Sequence, residues 1–259
     1  MRAVSSASDL EFVDYTMSGG HKLKITDYFG HNASFDPGPQ ANLCEFWRAD
    51  PTAPAEELVP PHFHHVRQFL VFTDTGLPDL NDEFEDVPQF SFQFTDPSTP
   101  YGPVMVDSDY MAFFAMRSKA DIGGHPVSTS SHKLRSPEPG RRVVVTPPPE
   151  PSTTGLLETL LERHDDGLAA YRIVLGPGES TTGPDPSTGD GQYWIVMRGS
   201  VVDEGTGLPP LSLLWVGTAD PPGSVTAGED GAAAMILQFP FPNPEIEITE
   251  EEWEAVHVA

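Results

Sequence analysis

The sequence predicts an all-β protein of the sandwich or barrel type, made of two halves and containing few short helices. About ten short apolar runs are rich in β-branched and aromatic residues, which are enriched in strands. The 28 prolines and 23 glycines interrupt almost every run, so few segments are long enough to form a helix. Many short strands separated by turns are typical of sandwiches and barrels.

The predicted strands are spread over the whole chain. In order, they lie in HKLKITDYF, ANLCEFWRA, RQFLVFTD, PQFSFQFTD, YMAFFAMRS, RRVVVT, AAYRIVLG, GQYWIVMRG, LSLLWVGT and AAAMILQFP. The alternation in PQFSFQF indicates a strand with one buried face. The segment GLLETLLERH (155–164) instead predicts a helix, because its leucines at 156, 157, 160 and 161 have helical spacing. The segment ITEEEWEAV (248–256) is either a second short helix or an acidic tail.

A proline-rich segment, SPEPGRRVVVTPPPEPSTTG (136–155), predicts a linker with a domain boundary near residue 150. The predicted domains are residues 1–150 and 151–259. The halves form a weak internal repeat. QFLVFTDTG (68–76) matches QYWIVMRGS (192–200), and each is followed later by an apolar strand. Chance similarity between two strands is the alternative explanation.

Charge and composition exclude several classes of function. The 14 Lys and Arg against 39 Asp and Glu give a net charge of −25, which repels nucleic acid and anionic membrane surfaces. The single cysteine, Cys44, forms no intrachain disulfide, and its apolar neighbours indicate a small buried side chain. The N-terminal stretch has no apolar core of signal-peptide length, and no segment is apolar over a membrane-spanning length. We therefore expect a soluble cytoplasmic protein.

The segment PPHFHHVRQF (60–69) contains three of the nine histidines. If it is extended, His62 and His64 lie on one face and His65 on the other. Gln68 returns to the face of His64. Two imidazoles and an amide oxygen suit a divalent ion such as Fe, Mn, Ni, Cu or Zn. The alternative is a surface turn with three polar side chains. Arg67 alternates away from Gln68, which favours a charge on the outer surface.

These residues resemble the first motif of the cupins, which reads H-x-H, then Glu or sometimes Gln, then a glycine further on. His62, His64, Gln68 and Gly76 match it, and Pro60-Pro61 before it is common in that family. The resemblance implies two tandem cupin barrels of the jelly-roll type, a bicupin, which accounts for the internal repeat. It also implies His62, His64 and Gln68 as metal ligands.

The sequence departs from the cupin pattern in both halves. The second cupin motif supplies a further histidine, but the matching segment TDPSTPYGPV (95–104) has Tyr101 near that place. Tyr101 is then a catalytic group or a ligand, although a neutral phenol is a weak ligand. His125, or His132 beyond it, is an alternative that completes the shell. In the second half, Pro186 and Thr188 stand at the matching positions, so we expect a barrel without metal.

The resemblance implies a metal-dependent oxygenase or dioxygenase that acts on a small organic substrate. Fe(II) is the expected metal, with Mn, Ni, Cu and Zn as alternatives. Since Gln68 carries no negative charge, an anionic substrate is favoured. The alternatives are a non-catalytic small-molecule-binding or structural bicupin, and a cupin isomerase or lyase. A homodimer is expected, because cupins commonly pair. Four apolar side chains are candidates for a pocket wall, or else belong to the plain core: Phe92, Phe94, Phe113 and Met116.

Overall fold

The structure is a computed structural model. It describes residues 1–16, 22–30, 38–47, 56–73, 89–106, 110–121, 123–136, 138–247, 249 and 251. Gly76 of the cupin-like motif and most of the acidic segment 248–256 lie outside the described residues. The described part is mainly strand, so the prediction of an all-β protein is confirmed. None of its helices is long and apolar enough to cross a membrane.

The strands account for all ten segments in which the sequence predicted one. In chain order, they are β1 (Ala3–Ser5), β2 (Val13–Thr16), β3 (Lys22–Phe29), β4 (Gln40–Trp47), β5 (Glu56–Val59), β6 (His62–Phe63), β7 (Gln68–Phe72), β8 (Phe92–Thr95), β9 (Val104–Val106), β10 (Tyr110–Arg117), β11 (His125–Pro126), β12 (Arg142–Val145), β13 (Leu156–Leu161), β14 (Ala169–Leu175), β15 (Ser180–Thr182), β16 (Gln192–Asp203), β17 (Thr206–Leu208), β18 (Leu213–Val216) and β19 (Ser224–Gln238). Among the described residues the helices are α1 (Val127–Ser130) and the 3-10 turns Ala7–Asp9, Ser131–Lys133 and Pro186–Thr188.

The chain divides into two compact units. The first unit comprises Glu11–Thr146 and Asn243–Ala259, and the second comprises Met1–Leu10 and Pro147–Pro242. The break at residues 146 and 147 lies in the proline-rich segment. The sequence division at residue 150 does not anticipate that each terminus belongs with the other half of the chain. Two independent domains, 1–150 and 151–259, stay a prediction.

The two units pair their strands in the same order. The main sheet of the first unit runs β12-β8-β7-β10-β4-β3-β2, and that of the second unit runs β1-β18-β16-β19-β14-β13. In each unit, the strand that begins with Gln and an aromatic residue, β7 or β16, pairs antiparallel with the later apolar strand, β10 or β19. The sequence repeat therefore corresponds to a repeated pairing pattern.

The predicted helix over 155–164 is wrong. Leu156–Leu161 form β13, which pairs antiparallel with β14 at the edge of its sheet. Leu156 and Leu157 are 58% and 45% exposed, so their helical spacing does not serve a buried face. Pairing with a neighbouring strand satisfies the backbone here, and this tertiary contact overrides the local leucine pattern.

The interior face of the first unit has an apolar part and a polar part. Leu70, Phe72, Ala115 and Cys44 belong to one buried apolar cluster, in which Tyr101 also lies. At the end of this face, one row of directly paired residues crosses five strands. The row consists of Arg142, Thr95, Gln68, Arg117 and Gln40. Because directly paired residues point to the same side of a sheet, we refer to these five residues as the polar row.

Candidate metal centre

Backbone hydrogen bonds hold the histidine segment between two other segments. His62 and Tyr101 form an isolated antiparallel bridge, with N–H to O distances of 3.0 and 2.9 Å. On the opposite side, β6 pairs with β11, so that Phe63 lies opposite His125 and His62 opposite Pro126. The Ser98 N–H donates to the His64 carbonyl over 2.6 Å. Partners on both edges therefore hold His62–Phe63 extended as β6, whereas His65 and Val66 form a bend.

The structure brings His62 and His64 together. Their ring centroids lie 5.2 Å apart, and both side chains are largely buried. His65 points the other way, where its Nδ1 contacts Ser98 Oγ at 3.1 Å and its ring lies 4.7 Å from that of His125. His125 therefore shares the side of His65 and is not brought to the pair. His132 is exposed in the turn Ser131–Lys133.

A chain of hydrogen bonds joins His62, Tyr101 and Gln68. His62 Nδ1–H donates to the Pro60 carbonyl at 2.9 Å, which leaves the Nε2 lone pair facing the Tyr101 hydroxyl at 3.0 Å. The hydroxyl donates to that nitrogen and accepts from Gln68 Nε2 at 2.7 Å. This assignment of protons satisfies each of the three contacts. The structure thus places the Tyr101 hydroxyl between His62 and Gln68.

Burial determines the protonation states of His62 and Tyr101. Desolvation, followed by the nearby His64, lowers the pKa of His62 to about 4, so the imidazole is neutral at pH 7. Burial also raises the pKa of Tyr101, against the opposing influence of Arg117 and the Gln68 hydrogen bond. Tyr101 is therefore a neutral phenol here, and a neutral phenol donates a proton more readily than it ligates a metal.

Asp121 stands behind the second histidine. Its Oδ2 accepts from His64 Nδ1 at 2.5 Å and lies 3.6 Å from Arg117 Nε. Burial alone would raise the pKa of this carboxyl, but His64 and Arg117 outweigh it and lower the pKa to about 2. A carboxylate behind a histidine fixes the tautomer in which Nε2 is free, an arrangement common at metal sites. Among the described residues, His64 Nε2 has no hydrogen-bond partner.

The residues present fit a divalent metal, although the set is not the usual one. In the described part of the chain, no three His, Cys, Asp or Glu side chains are grouped as a metal site. The candidate ligands are therefore Nε2 of His62, Nε2 of His64 and Oε1 of Gln68. This Oε1 is buried without a hydrogen-bond partner, which is the state expected of an atom that awaits a cation or a ligand. Two nitrogens and an oxygen suit first-row transition metals.

Three of the four apolar residues proposed as a pocket wall lie away from this site. Pairing of β7 with β8 puts Gln93 and Thr95 on the face of Gln68, so Phe92 and Phe94 point to the other face. There they pack on Phe69, with ring centroids 5.9 and 5.0 Å away. Met116 pairs with Phe69 and shares that other face. Phe113 alone of the four faces the interior, where it packs against Phe72. The prediction of one buried face for this strand is therefore wrong: both faces of β8 are buried, and the polar residues face inward.

Sequence reasoning missed three residues that shape the site. Asp121 and Arg142 carry no motif: Asp121 reaches His64 from the segment after β10, and strand pairing places Arg142 in the polar row. Gly124 lies against both rings: a Cβ there would stand 3.3 Å from His62 Cδ2 and from His64 Cε1. The expected surface position of Arg67 is wrong. Its side chain is 3% exposed, and its Nε lies 2.7 Å from Glu247 Oε1. The only sequence signal for these residues was the segment DIGGH (121–125), which follows the apolar strand β10.

The second unit fills the corresponding place with a buried pair of glutamines and the ring of Trp194. Gln192 occupies the position that matches Gln68 and donates to Gln238 Oε1 at 2.9 Å. Trp194, two residues on, fills the core so tightly that a Cβ at Gly183 would lie 2.2 Å from its ring. Pro186 and Thr188 form a 3-10 turn in place of a histidine strand. The prediction that this half binds no metal stays a prediction.

Comparisons with known proteins identify the architecture. No protein-family model and no curated protein matches the sequence. Among solved structures, the bacterial pirin YhhW from Escherichia coli, in complex with nickel(II), is 13% identical with a TM-score of 0.51, covering 93% of this chain and 100% of that one. Quercetin 2,3-dioxygenase from Acinetobacter baumannii is 11% identical with a TM-score of 0.52, covering 98% and 94%. Salicylate 1,2-dioxygenase from Pseudoaminobacter salicylatoxidans is 14% identical with a TM-score of 0.52, covering 92% and 80%.

These three structures are cupin-fold proteins, and each match extends over nearly the whole chain. The protein has the cupin fold. The sequence resemblance at His62, His64 and Gln68 therefore lies in a cupin framework, which was its main implication. At identities of 11 to 14%, the likeness concerns the fold of this protein and does not extend to its substrate.

Proposed function

We propose that this cupin binds one divalent metal, Fe(II) in the first place, and oxygenates a small organic anion. One observation carries the proposal. The two imidazoles His62 and His64 lie together, each with Nδ1 engaged by a fixed acceptor, and the Tyr101 hydroxyl links His62 to the buried amide of Gln68. Metal-binding histidines are commonly held in this way, by a hydrogen bond from the ring nitrogen that does not bind the metal. Mn, Ni, Cu and Zn remain alternatives with the same donor preference.

Each neighbouring residue has a role in the proposed reaction. Bound there, the metal supplies Lewis acidity and, as iron, the one-electron chemistry that oxygenation requires. Gln68 is neutral, so the site keeps a net positive charge that an anionic substrate offsets. Tyr101, as a neutral phenol, is placed to donate a hydrogen bond to a substrate oxygen once its own bond to His62 is exchanged. Asp121 keeps the His64 ring oriented.

The comparisons support a metal and an oxygenase at the level of the fold. The matched pirin structure is a complex with nickel(II), and two of the matched structures are dioxygenases by name. We transfer the general chemistry to this chain as a proposal and leave open which organic molecule is the substrate.

Metal analysis of the purified protein tests the proposal. Wild type, His62→Ala and His64→Ala are reconstituted anaerobically with Fe(II), desalted and measured by mass spectrometry, beside His132→Ala as a control that removes an exposed histidine. We expect about one equivalent of metal in wild type and in the control, and a loss in both site variants. Equal metal content in all four proteins, or none in wild type with any of the five metals, contradicts the proposal.

A non-catalytic binding protein is the second candidate, and Tyr101 favours it. Its hydroxyl is hydrogen-bonded to both His62 Nε2 and Gln68 Nε2, so a protein group occupies the place of a ligand beside His62. Oxygen consumption by the iron-loaded protein with a panel of small carboxylic acids separates the two. Uptake that requires His62 identifies an oxygenase. Binding without uptake or product identifies a binding protein, and conversion without uptake identifies an isomerase or lyase.

The expected homodimer stays a proposal, for which light scattering after size exclusion is the test.

A further inference from the structure

The polar row places two arginines on the interior face beside Gln68. Arg117 is one strand away from Gln68, and Arg142 is two strands away on the other side, with Thr95 between them. At the usual strand spacing, the Cα atoms of Arg142 and Gln68 lie about 10 Å apart. Arg142 thus shares a face with Gln68, whose Nε2 donates to the Tyr101 hydroxyl of the candidate metal centre.

Arg117 is already committed to protein partners. Its Nη1 donates to Gln40 Oε1 at 2.9 Å, and its Nε lies 3.6 Å from the Asp121 carboxylate. The charge of Arg117 is therefore offset by Asp121. Removing a charge that is balanced in this way would disturb the support of His64, so Arg117 is a structural cation of the site.

Arg142 is different, because its charge is not offset. Its Nε donates to Gln93 Oε1 at 2.8 Å, which fixes the plane of the guanidinium. Its Nη2 is buried and has no hydrogen-bond partner. Among the described residues, Arg142 forms no ion pair, whereas its sequence neighbour Arg141 pairs with Asp96 at 3.2 Å. A buried donor of this kind costs free energy unless a ligand satisfies it.

We propose that Arg142 binds the carboxylate of a small carboxylic-acid substrate, next to Tyr101 and the candidate metal centre. This inference rests on the proposed function and adds the substrate class and the residue that selects it. With Nε occupied, the guanidinium offers its Nη edge, which matches the two oxygens of a planar carboxylate. Arg117 and Arg142 carry two positive charges, and Asp121 carries one negative charge. The net charge of these three residues is +1, which suits a monoanion.

The charge of the whole chain makes such a residue necessary. The protein carries a net charge of −25 and repels anions at long range. An anionic substrate must therefore be held by short-range contacts inside the barrel. Arg142 is half-buried and its Nη2 atom is buried, and at such a position a charge-assisted hydrogen bond is stronger than at the surface.

The test compares acetate with acetamide, which has nearly the same shape and no charge. Binding to the metal-free full-length protein is measured by saturation-transfer NMR, so that direct ligation of acetate to a metal does not contribute. The proteins are wild type, Arg142→Met, Arg142→Lys and Arg141→Met, the last as a matched control that removes a charge one position away on the opposite face. Metal content after loading is measured on the same preparations.

We expect wild type and Arg141→Met to bind acetate in preference to acetamide. Arg142→Met should bind acetate roughly tenfold or more weakly, while Arg142→Lys, which keeps the charge without the planar fork, should lie between them. Unchanged acetate binding in Arg142→Met, no preference over acetamide, or equally good binding of sulfate overturns the inference. The metal content is an independent readout: if wild type binds metal and Arg142→Met binds acetate normally, the inference fails and the proposed function stands.

Discussion

His64 Nδ1 donates a hydrogen bond to Asp121 Oδ2 over 2.5 Å, so that a buried carboxylate holds one imidazole of the candidate metal centre in place. Asp121 reaches this position from the segment that follows β10, 57 residues after His64 in the chain. It keeps its charge because His64 and Arg117 more than offset the effect of burial on its pKa. The metal affinity of the site should therefore depend on a residue that is not a ligand.

Asp121→Asn should lower the affinity for Fe(II) or Zn(II) by about 10- to 100-fold, because the amide no longer fixes the free Nε2 of His64. The measurement is a competition titration against a chromophoric chelator. Asp165→Asn, an exposed acid in the second unit, removes the same charge and should leave the affinity unchanged. Equal affinities for Asp121→Asn and wild type would show that the contact does not support a metal ligand.

Gln68→Glu should raise the affinity for Mn(II), a hard cation, by about tenfold or more, because it adds a negative charge at the buried, unpartnered Oε1 position. The same change should weaken acetate binding, since the new carboxylate competes for the positive charge of the site. Gln68→Met, which has no oxygen ligand and a similar length, should lower the Mn(II) affinity. An affinity that is the same for Gln, Glu and Met at this position contradicts a ligand role for residue 68.

Tyr101→Phe should keep the metal content of wild type but lose stability by about 1–3 kcal/mol, because Gln68 Nε2 is left buried without its acceptor. Ferric protein should show no visible phenolate-to-iron band in wild type, since burial keeps Tyr101 protonated. Metal analysis, denaturant unfolding and the absorption spectrum are the three measurements. A strong visible band in wild type that disappears in Tyr101→Phe would identify Tyr101 as a ligand instead.

The Cys44 thiol should not react with a disulfide reagent at pH 8 in the native protein. Burial raises the pKa of Cys44 to about 12, so the thiolate fraction at pH 8 is about one in ten thousand. Because the unfolded thiol ionises first, the free energy of unfolding should fall as pH rises from about 9 to about 12. In guanidinium chloride, one equivalent should react, since the chain has a single cysteine. Rapid labelling under native conditions would show that the β4 strand opens readily.

Glu247→Gln should destabilise the first unit by about 3–5 kcal/mol, since it removes one partner of a buried ion pair. Glu247 is 4% exposed and lies 2.7 Å from Arg67, which is 3% exposed, and 2.8 Å from Lys119. The denaturant midpoint measures the change. Glu251→Gln, an exposed acid four residues further on, is the control and should leave the midpoint within error. Equal midpoints for the two variants would mean that this contact adds nothing to stability.

The sequence determined the local features of this protein. All ten strand segments follow from runs of β-branched and aromatic residues, because such residues suit a pleated backbone. The common face of His62 and His64, with His65 opposite, follows from the two-residue period of a strand. The cupin resemblance rested on the same few positions, and it led to the correct fold because the spacing of that motif reflects strand geometry.

Only the tertiary structure decided which face of each strand meets the site and what stands behind it. Alternation predicts that Phe92 and Phe94 share one face of β8. It does not predict that this face is turned away from Gln68, because the pairing of β8 with β7 and β12 decides that. The leucines of β13 have helical spacing, yet pairing with β14 makes a strand. Asp121, Arg142 and Glu247 act on residues distant in the chain. Strand pairing and burial bring such groups together, and neither is encoded in a local pattern.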